Sequence, residues 1–304
     1  MIARGLAVAS VMRLAYHARM TRMDGKTVLV TGASSGIGKA TATQLAGLGA
    51  RVVMVSRTES RGIRARDDML RATPDADVDL LVADLSTTTA IRRLAEEFTA
   101  KHRRLDVLLN NAAILTARRK LTPEGFEMQF FVNHLAYFLL TGLLLDVLKA
   151  STPARVVNVA SSAQSSGVID FDDLQLARNY RGWQAYANTK LMNVVFTYEL
   201  ARRLEGTRVT ANCLHPGVIH TNLLRNFSSV LQTVWHATGR FFKTPEDGAE
   251  TPVYLASSPE VATVTGQYFR YCKPLGTCAA SYDRGVQQRL WEESERLSGF
   301  KYAF

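Results

Sequence analysis

Lys26-Thr-Val-Leu-Val-Thr-Gly-Ala-Ser-Ser-Gly-Ile-Gly-Lys-Ala-Thr-Ala-Thr-Gln-Leu-Ala-Gly-Leu-Gly-Ala-Arg-Val-Val-Met-Val-Ser56 decides the fold. An apolar, β-branched run at 26–31 reads as a strand, "KATATQLAGLG" at 39–49 as a helix, and "RVVMVS" at 51–56 as a second strand. The unit is β-α-β, and its first turn holds Gly32, Gly36 and Gly38. In such a turn the first glycine permits the tight bend and the second lets the backbone approach a pyrophosphate. The third lets helix and strand pack closely, while unpaired N–H groups at the helix start face the anion.

The alternation continues. Strands are expected at 78–83, 105–110, 154–160 and 208–214, with helices at 87–101, near 123–149 and near 184–204. Strands apolar along their whole length have both faces covered. The predicted fold class is therefore α/β: a single-domain, Rossmann-type, doubly wound parallel sheet with helices on both faces. Irregular stretches around 162–183 and 219–246 follow strand ends and are candidate substrate walls.

Composition agrees with a packed globular chain. The 304 residues are 47% hydrophobic and 21% charged, which excludes a disordered tail or a collagen-like repeat. Cys213, Cys272 and Cys278 form no C-x-x-C pair, so neither a disulfide framework nor a structural zinc site is expected, and a reducing, cytoplasmic setting follows. Net charge is +10, of which Arg4, Arg13, Arg19 and Arg22 supply four. Residues 1–23 contain no acid and read as a basic extension ahead of a catalytic domain at 24–304. The extension fits a mitochondrial-type transit sequence, a peripheral membrane contact, or a leader bypassed by starts at Met20 or Met23. Its apolar run, Leu6 to Val11, is far too short to span a bilayer. The remaining charge is dispersed, apart from "RGIRAR" at 61–66, and predicts no nucleic-acid surface.

Strand two ends in Ser56-Arg57, where NAD-binding folds carry an acidic residue for the ribose hydroxyls. Arg57 in place of a carboxylate suits a 2′-phosphate, so NADP(H) is expected over NAD(H), with Lys39, Arg61 and Arg64 as helpers. Asp84 and Leu85 close strand three, at the place for an adenine contact, and Asn110 to Leu115 close strand four. Tyr186 and Lys190 share a helix face at i and i+4. A tyrosine becomes a usable acid/base when a neighbouring ammonium and an oxidised nicotinamide favour its phenolate. Ser161 and Ser162, directly after a strand, offer a hydroxyl to hold a reacting oxygen.

Together these motifs resemble the short-chain dehydrogenase/reductase family over residues 26 to about 270. The family order is kept: Gly32, Ser34, Ser35, Gly36, Ile37 and Gly38 in the cofactor turn, then Asn110 and Ala112, Asn133, Ser161, Tyr186 with Lys190, and Pro216, Gly217, Val218 and Thr221. The resemblance implies that Tyr186 is the acid/base, that Lys190 lowers its pKa and binds ribose, that Ser161 polarises the carbonyl, and that Asn133 holds a relay water. Gly167, six residues on, selects Ser161 over Ser162. Ala113 replaces the usual glycine of the strand-four motif.

"VNHLAYFLLT", "ANTKLMNVVFTYELARRL", "HPGVIHTNL" and the 25-residue gap from Ser161 to Tyr186 are similar to the retinol dehydrogenase-like group. That implies a lipophilic alcohol, aldehyde or ketone as substrate, with Phe227, Trp235, Phe241 and Phe242 available to cover it. Family members also pair through helices near 123–149 and 184–204, so a homodimer is an expectation. His134, His215 and His220 read as packing or capping residues, with no metal site. Two other readings share the scaffold: a C=C bond reductase, and a non-catalytic NADP-sensing interaction protein.

Overall fold

A computed structural model of the protein describes residues 20–217 and 244–304. Its centre is one eight-stranded sheet. Thr27–Thr31 (β1), Arg51–Ser56 (β2) and Val78–Val82 (β3) form one half; Val107–Asn110 (β4), Ala154–Val159 (β5), Val209–His215 (β6), Tyr268–Arg270 (β7) and Lys273–Pro274 (β8) form the other. The order is β3-β2-β1-β4-β5-β6-β7-β8. Neighbours run parallel except β7 and β8, which are antiparallel. The expected parallel sheet is present, and two short edge strands extend it.

Side-chain alternation along the strands feeds two cores. Val28, Val30, Val52, Met54, Val107 and Leu109 pack beneath the helices Gly36–Gly47 (α1), Glu59–Ala72 (α2) and, later in the chain, Pro245–Ser257. Leu29, Val53, Val55, Leu108 and Val156 face the opposite layer. That layer contains Thr88–Lys101 (α3), the segment from Met128 to Ala150, Gly182–Arg203 and Arg284–Ser298. Both faces are covered, which is why the strands carry no polar alternation. Each fully buried Phe or Leu contributes about 1.5–3 kcal/mol.

The helix expected near 123–149 is instead broken into pieces. Met128–Phe130 (α4) is a single turn, Phe131–Leu135 is π-helical, and Ala136–Leu143 (α5) and Leu145–Ala150 (α6) follow. The widened turn is where Asn133 reaches sideways: its Oδ1 accepts from Ile114 N at 2.8 Å and its Nδ2 donates to Ile114 O at 2.9 Å. The helices Gly182–Arg203 (α7), Pro245–Ser257 (α8) and Arg284–Ser298 (α9) complete the layers. After α9 the chain folds back, with Tyr302 4.6 Å from Trp291 and 4.9 Å from Phe138 between ring centroids. Its hydroxyl donates to Phe138 O at 2.6 Å.

From β1 the chain crosses first to β2 on one side and later to β4 on the other, so the carboxyl ends of β1 and β4 flank the topological switch point. Ligands of doubly wound sheets bind in that crevice. Among the described residues no helix is long and apolar enough to cross a membrane.

Candidate active site

The crevice is built around Thr31. Its hydroxyl accepts the backbone N–H groups of Asn111 at 2.8 Å and Ala112 at 3.0 Å, tying the loop after β1 to the loop after β4. Gly32 follows at φ +66°, and a Cβ there would lie 2.9 Å from Ala112 Cα. A Cβ on Gly38 would lie 2.5 Å from Gly32 O. Both positions exclude a side chain, so the turn stays low against the sheet. Ser35 caps α1 in extended conformation without bonding the first turn through its side chain, and that turn contains no acid. Its N–H groups are suited to an anion.

A cavity of about 510 Å³ lies above these loops. Gly32, Ser34, Ser35, Gly36, Ile37 and Gly38 floor one end, beside Arg57, Arg61, Asp84 and Leu85. Ala112, Ser161, Tyr186, Lys190, Pro216 and Gly217 line the other. Most of the expected cofactor set thus converges on one space. Arg57 is exposed, Ser56 beside it is buried, and neither Arg57 nor Arg61 has an acidic partner among the described residues. Asp84 uses one carboxylate oxygen to accept from Ser86 N at 3.1 Å.

Several expected residues are placed elsewhere. Asn110 is fully buried, and its Nδ2 donates to Asn158 Oδ1 at 2.9 Å and Thr141 Oγ1 at 3.0 Å. Strand alternation turns it into the core and brings Asn111 to the wall instead. Lys39 is ion-paired with Asp68 and, like the exposed Arg64, does not line the cavity. Asn133 is also off the wall and fully buried. Both of its amide hydrogens are engaged, one by Ile114 O and one by Thr189 Oγ1 at 3.2 Å. Thr189 in turn donates to Tyr186 O at 2.8 Å. Asn133 thereby ties the β4 loop to α7. Val218, Thr221, His220, Phe227, Trp235, Phe241 and Phe242 lie outside the described residues. Ala113 lines the cavity and is not among the described residues with positive φ, so its methyl is accommodated without backbone strain.

Tyr186 and Lys190 rise from one face of α7, 7% and 1% exposed. Lys190 Nζ donates to Val159 O at 2.8 Å and lies 5.5 Å from the Tyr186 ring centroid. Burial pulls Lys190 down to about 7 and pushes Tyr186 up to about 12, with the Ser161 hydroxyl drawing the phenol partly back. Desolvation therefore outweighs the downward pull on Tyr186 expected from Lys190. Ser161 is half-buried beside the phenol, whereas Ser162 is exposed. Gly167 explains itself too: a Cβ there would lie 2.6 Å from Ala187 O, so only glycine lets the segment after Ser161 lie against α7.

Two further residues reach the wall: His215, which the sequence reads as a packing or capping residue but which caps nothing among the described residues, and Trp183, which the sequence reading does not single out. His215 is 3% exposed with both ring nitrogens lacking hydrogen-bond partners among the described residues, and burial lowers it to about 4. Trp183 stands one helical turn before Tyr186, a spacing that was available as a signal.

Comparison with known proteins agrees with this geometry. Residues 26–231 match the family model for short chain dehydrogenases. The chain is 45% identical over 293 residues to retinol dehydrogenase 14 of Homo sapiens, covering 91% of this chain and 87% of that protein. It is 41% identical over 281 residues to retinol dehydrogenase 12 of Mus musculus, covering 92% and 89%. A crystal structure from Mycobacterium Paratuberculosis superposes with a TM-score of 0.78 at 33% identity, covering 94% of this chain and 98% of that one. A short chain dehydrogenase from Shigella flexneri 2a str. 301, solved with NADP, gives 0.67 at 25% identity, covering 82% and 98%. The chain thus belongs to the short-chain dehydrogenase family, as a retinol dehydrogenase-like oxidoreductase acting between alcohol and carbonyl with a nicotinamide cofactor.

Proposed function

We propose that the protein is an NADP(H)-dependent reductase of lipophilic aldehydes or ketones, running from residue 24 to 304 as one catalytic unit. The observation that carries the reading is the meeting of Ser161, Tyr186 and Lys190 on a cavity whose other end offers two guanidinium groups without acidic partners. Arg57 and Arg61 suit a 2′-phosphate, and β2 closes on Ser56-Arg57 rather than on the carboxylate that would repel it. The printed names of the relatives, retinol dehydrogenases, and the NADP bound in the Shigella flexneri protein support the same choice.

The glycine turn, with no room for a Cβ at Gly32 or Gly38, fits a pyrophosphate held by the N–H groups of α1. Asp84 keeps a carboxylate oxygen free of the Ser86 bond for an adenine amino group. Lys190, anchored on Val159 O, lines the cavity and would hold the ribose hydroxyls. When bound, the nicotinamide supplies the hydride for reduction.

Ser161 donates to the substrate oxygen and holds it beside the phenol. Tyr186, kept protonated by burial, donates its proton to that oxygen as negative charge develops. Asn133, through Thr189, fixes the turn of α7 that carries Tyr186. The test is Tyr186→Phe: NADPH affinity stays unchanged and aldehyde turnover falls about a thousandfold. A variant turning over near the wild-type rate overturns the assignment.

A further inference from the structure

Beyond Tyr186 the cavity changes character. Leu115, Met128 and Val132 line it as well, drawn from the β4 loop, α4 and the π-helical turn. Leu115 packs directly with Tyr186, Ala187 and Ala163. Trp183 completes this end. It lines the same cavity, yet 57% of its surface is open, the largest side chain among the exposed hydrophobic residues described.

Its position is fixed from below and from behind. Gly182 presses so closely on the carbonyl of Thr116 that any side chain there would collide, which clamps the first turn of α7 onto the β4 loop. Spacing of i to i+3 then sets the indole on the face that carries Tyr186. The two rings lie 5.7 Å apart between centroids, inclined at 32°. An indole held this way, with no hydrogen-bond partner among the described residues, is a preformed apolar platform beside the reacting atoms.

We propose that Trp183 is a specificity-determining residue, the surface on which the first carbons of a long apolar substrate chain lie once its carbonyl is at Tyr186. The inference rests on the carbonyl-reductase reading above and adds the feature that separates long from short substrates. A carbonyl oxygen at the phenol, with its chain directed away from the phosphate-binding end, brings that chain against the apolar lining that Trp183, Leu115, Met128 and Val132 supply among the described residues. A short aldehyde covers little of the indole, whereas a long one covers it.

The experiment compares wild type with Trp183→Ala and Trp183→Phe, using NADPH and the straight-chain series propanal, hexanal and decanal. Trp183→Ala raises KM for decanal about tenfold while its kcat, the KM for propanal and the NADPH dissociation constant are unmoved, and Trp183→Phe falls between. A second measurement needs no turnover: decanol binding to the NADPH complex, followed by calorimetry, weakens by the same factor in Trp183→Ala. Unchanged decanal KM and unchanged decanol affinity overturn the platform and leave the reductase reading standing. Decanol binding that depends on Trp183, in a wild-type protein that reduces no aldehyde, supports the platform and overturns the reductase reading. Equal KM increases for propanal and decanal overturn the chain-length argument, since they place the damage at the carbonyl itself.

Discussion

Replacing Arg57 by alanine separates the two nicotinamide cofactors. The guanidinium ends β2 at the cavity wall, exposed and without an acidic partner among the described residues, so removing it uncovers no buried charge and breaks no ion pair. On the proposed NADP(H) reading, what it removes is one charge-assisted contact to a 2′-phosphate. Such contacts contribute about 1.5–3 kcal/mol, and exposure places this one toward the lower half of the range. A loss of about 2 kcal/mol is about a thirtyfold weaker dissociation constant for NADPH. NADH lacks the phosphate, so its affinity moves by less than about twofold, a few tenths of a kcal/mol. Arg61 on the same wall retains part of the selectivity, and Arg57→Ala with Arg61→Ala brings the two cofactors close to parity. Titration of cofactor fluorescence at low and high salt reads both constants, and the NADPH advantage shrinks as salt rises because the contact is open to screening. Equal losses for NADPH and NADH refute the reasoning.

Two further outcomes follow from packing and burial. His134 is fully buried with Nε2 3.0 Å from Ser294 Oγ, and burial lowers it from 6.5 to about 4. Its contribution to stability is complete above the unfolded value and is lost as pH falls from about 6.5 to about 4, a slope worth up to about 3 kcal/mol; urea unfolding of wild type and His134→Asn across that window shows a flatter dependence in the variant. Gly142→Ala drives a methyl into the Phe300 ring and to 2.9 Å from Tyr302, displacing the C-terminal segment. A loss of about 1–3 kcal/mol with altered Trp291 emission and unchanged KM is expected, and unaltered stability contradicts the packing account.

The sheet was legible because β1, β2, β4 and β5 are dominated by apolar, β-branched residues and punctuated by glycine or asparagine. Tyr268–Arg270 and Lys273–Pro274 were not, since three and two residues carry no periodicity. The break in the 123–149 helix was hidden for a different reason. "FFVNHLAYFLLTGLLL" is apolar on every face, so shifting the register by one residue at Asn133 leaves the pattern unchanged.

Site residues divide the same way. Gly32, Gly36, Gly38, Tyr186 and Lys190 act through local geometry and so announce themselves by spacing. Asn110 and Asn111 are neighbours of one type, and which of them turns inward depends on where β4 ends and on partners 31 and 48 residues away, Thr141 and Asn158. Asn133 similarly finds its partners, Ile114 and Thr189, through the fold. The desolvation of Tyr186 depends on everything packed above α7 and is invisible in Tyr-x-x-x-Lys.

The central claim is hydride delivery to a carbonyl carbon with Tyr186 as proton donor. Its most direct test uses NADPH deuterated at the transferable position of the nicotinamide and an α,β-unsaturated decenal. The account predicts an allylic alcohol with deuterium on its carbinol carbon, formed by wild type and lost in Tyr186→Phe although that variant still binds NADPH. Deuterium on the β-carbon of a saturated aldehyde contradicts it and identifies a C=C reductase. NADPH that binds but transfers no deuterium contradicts it as well.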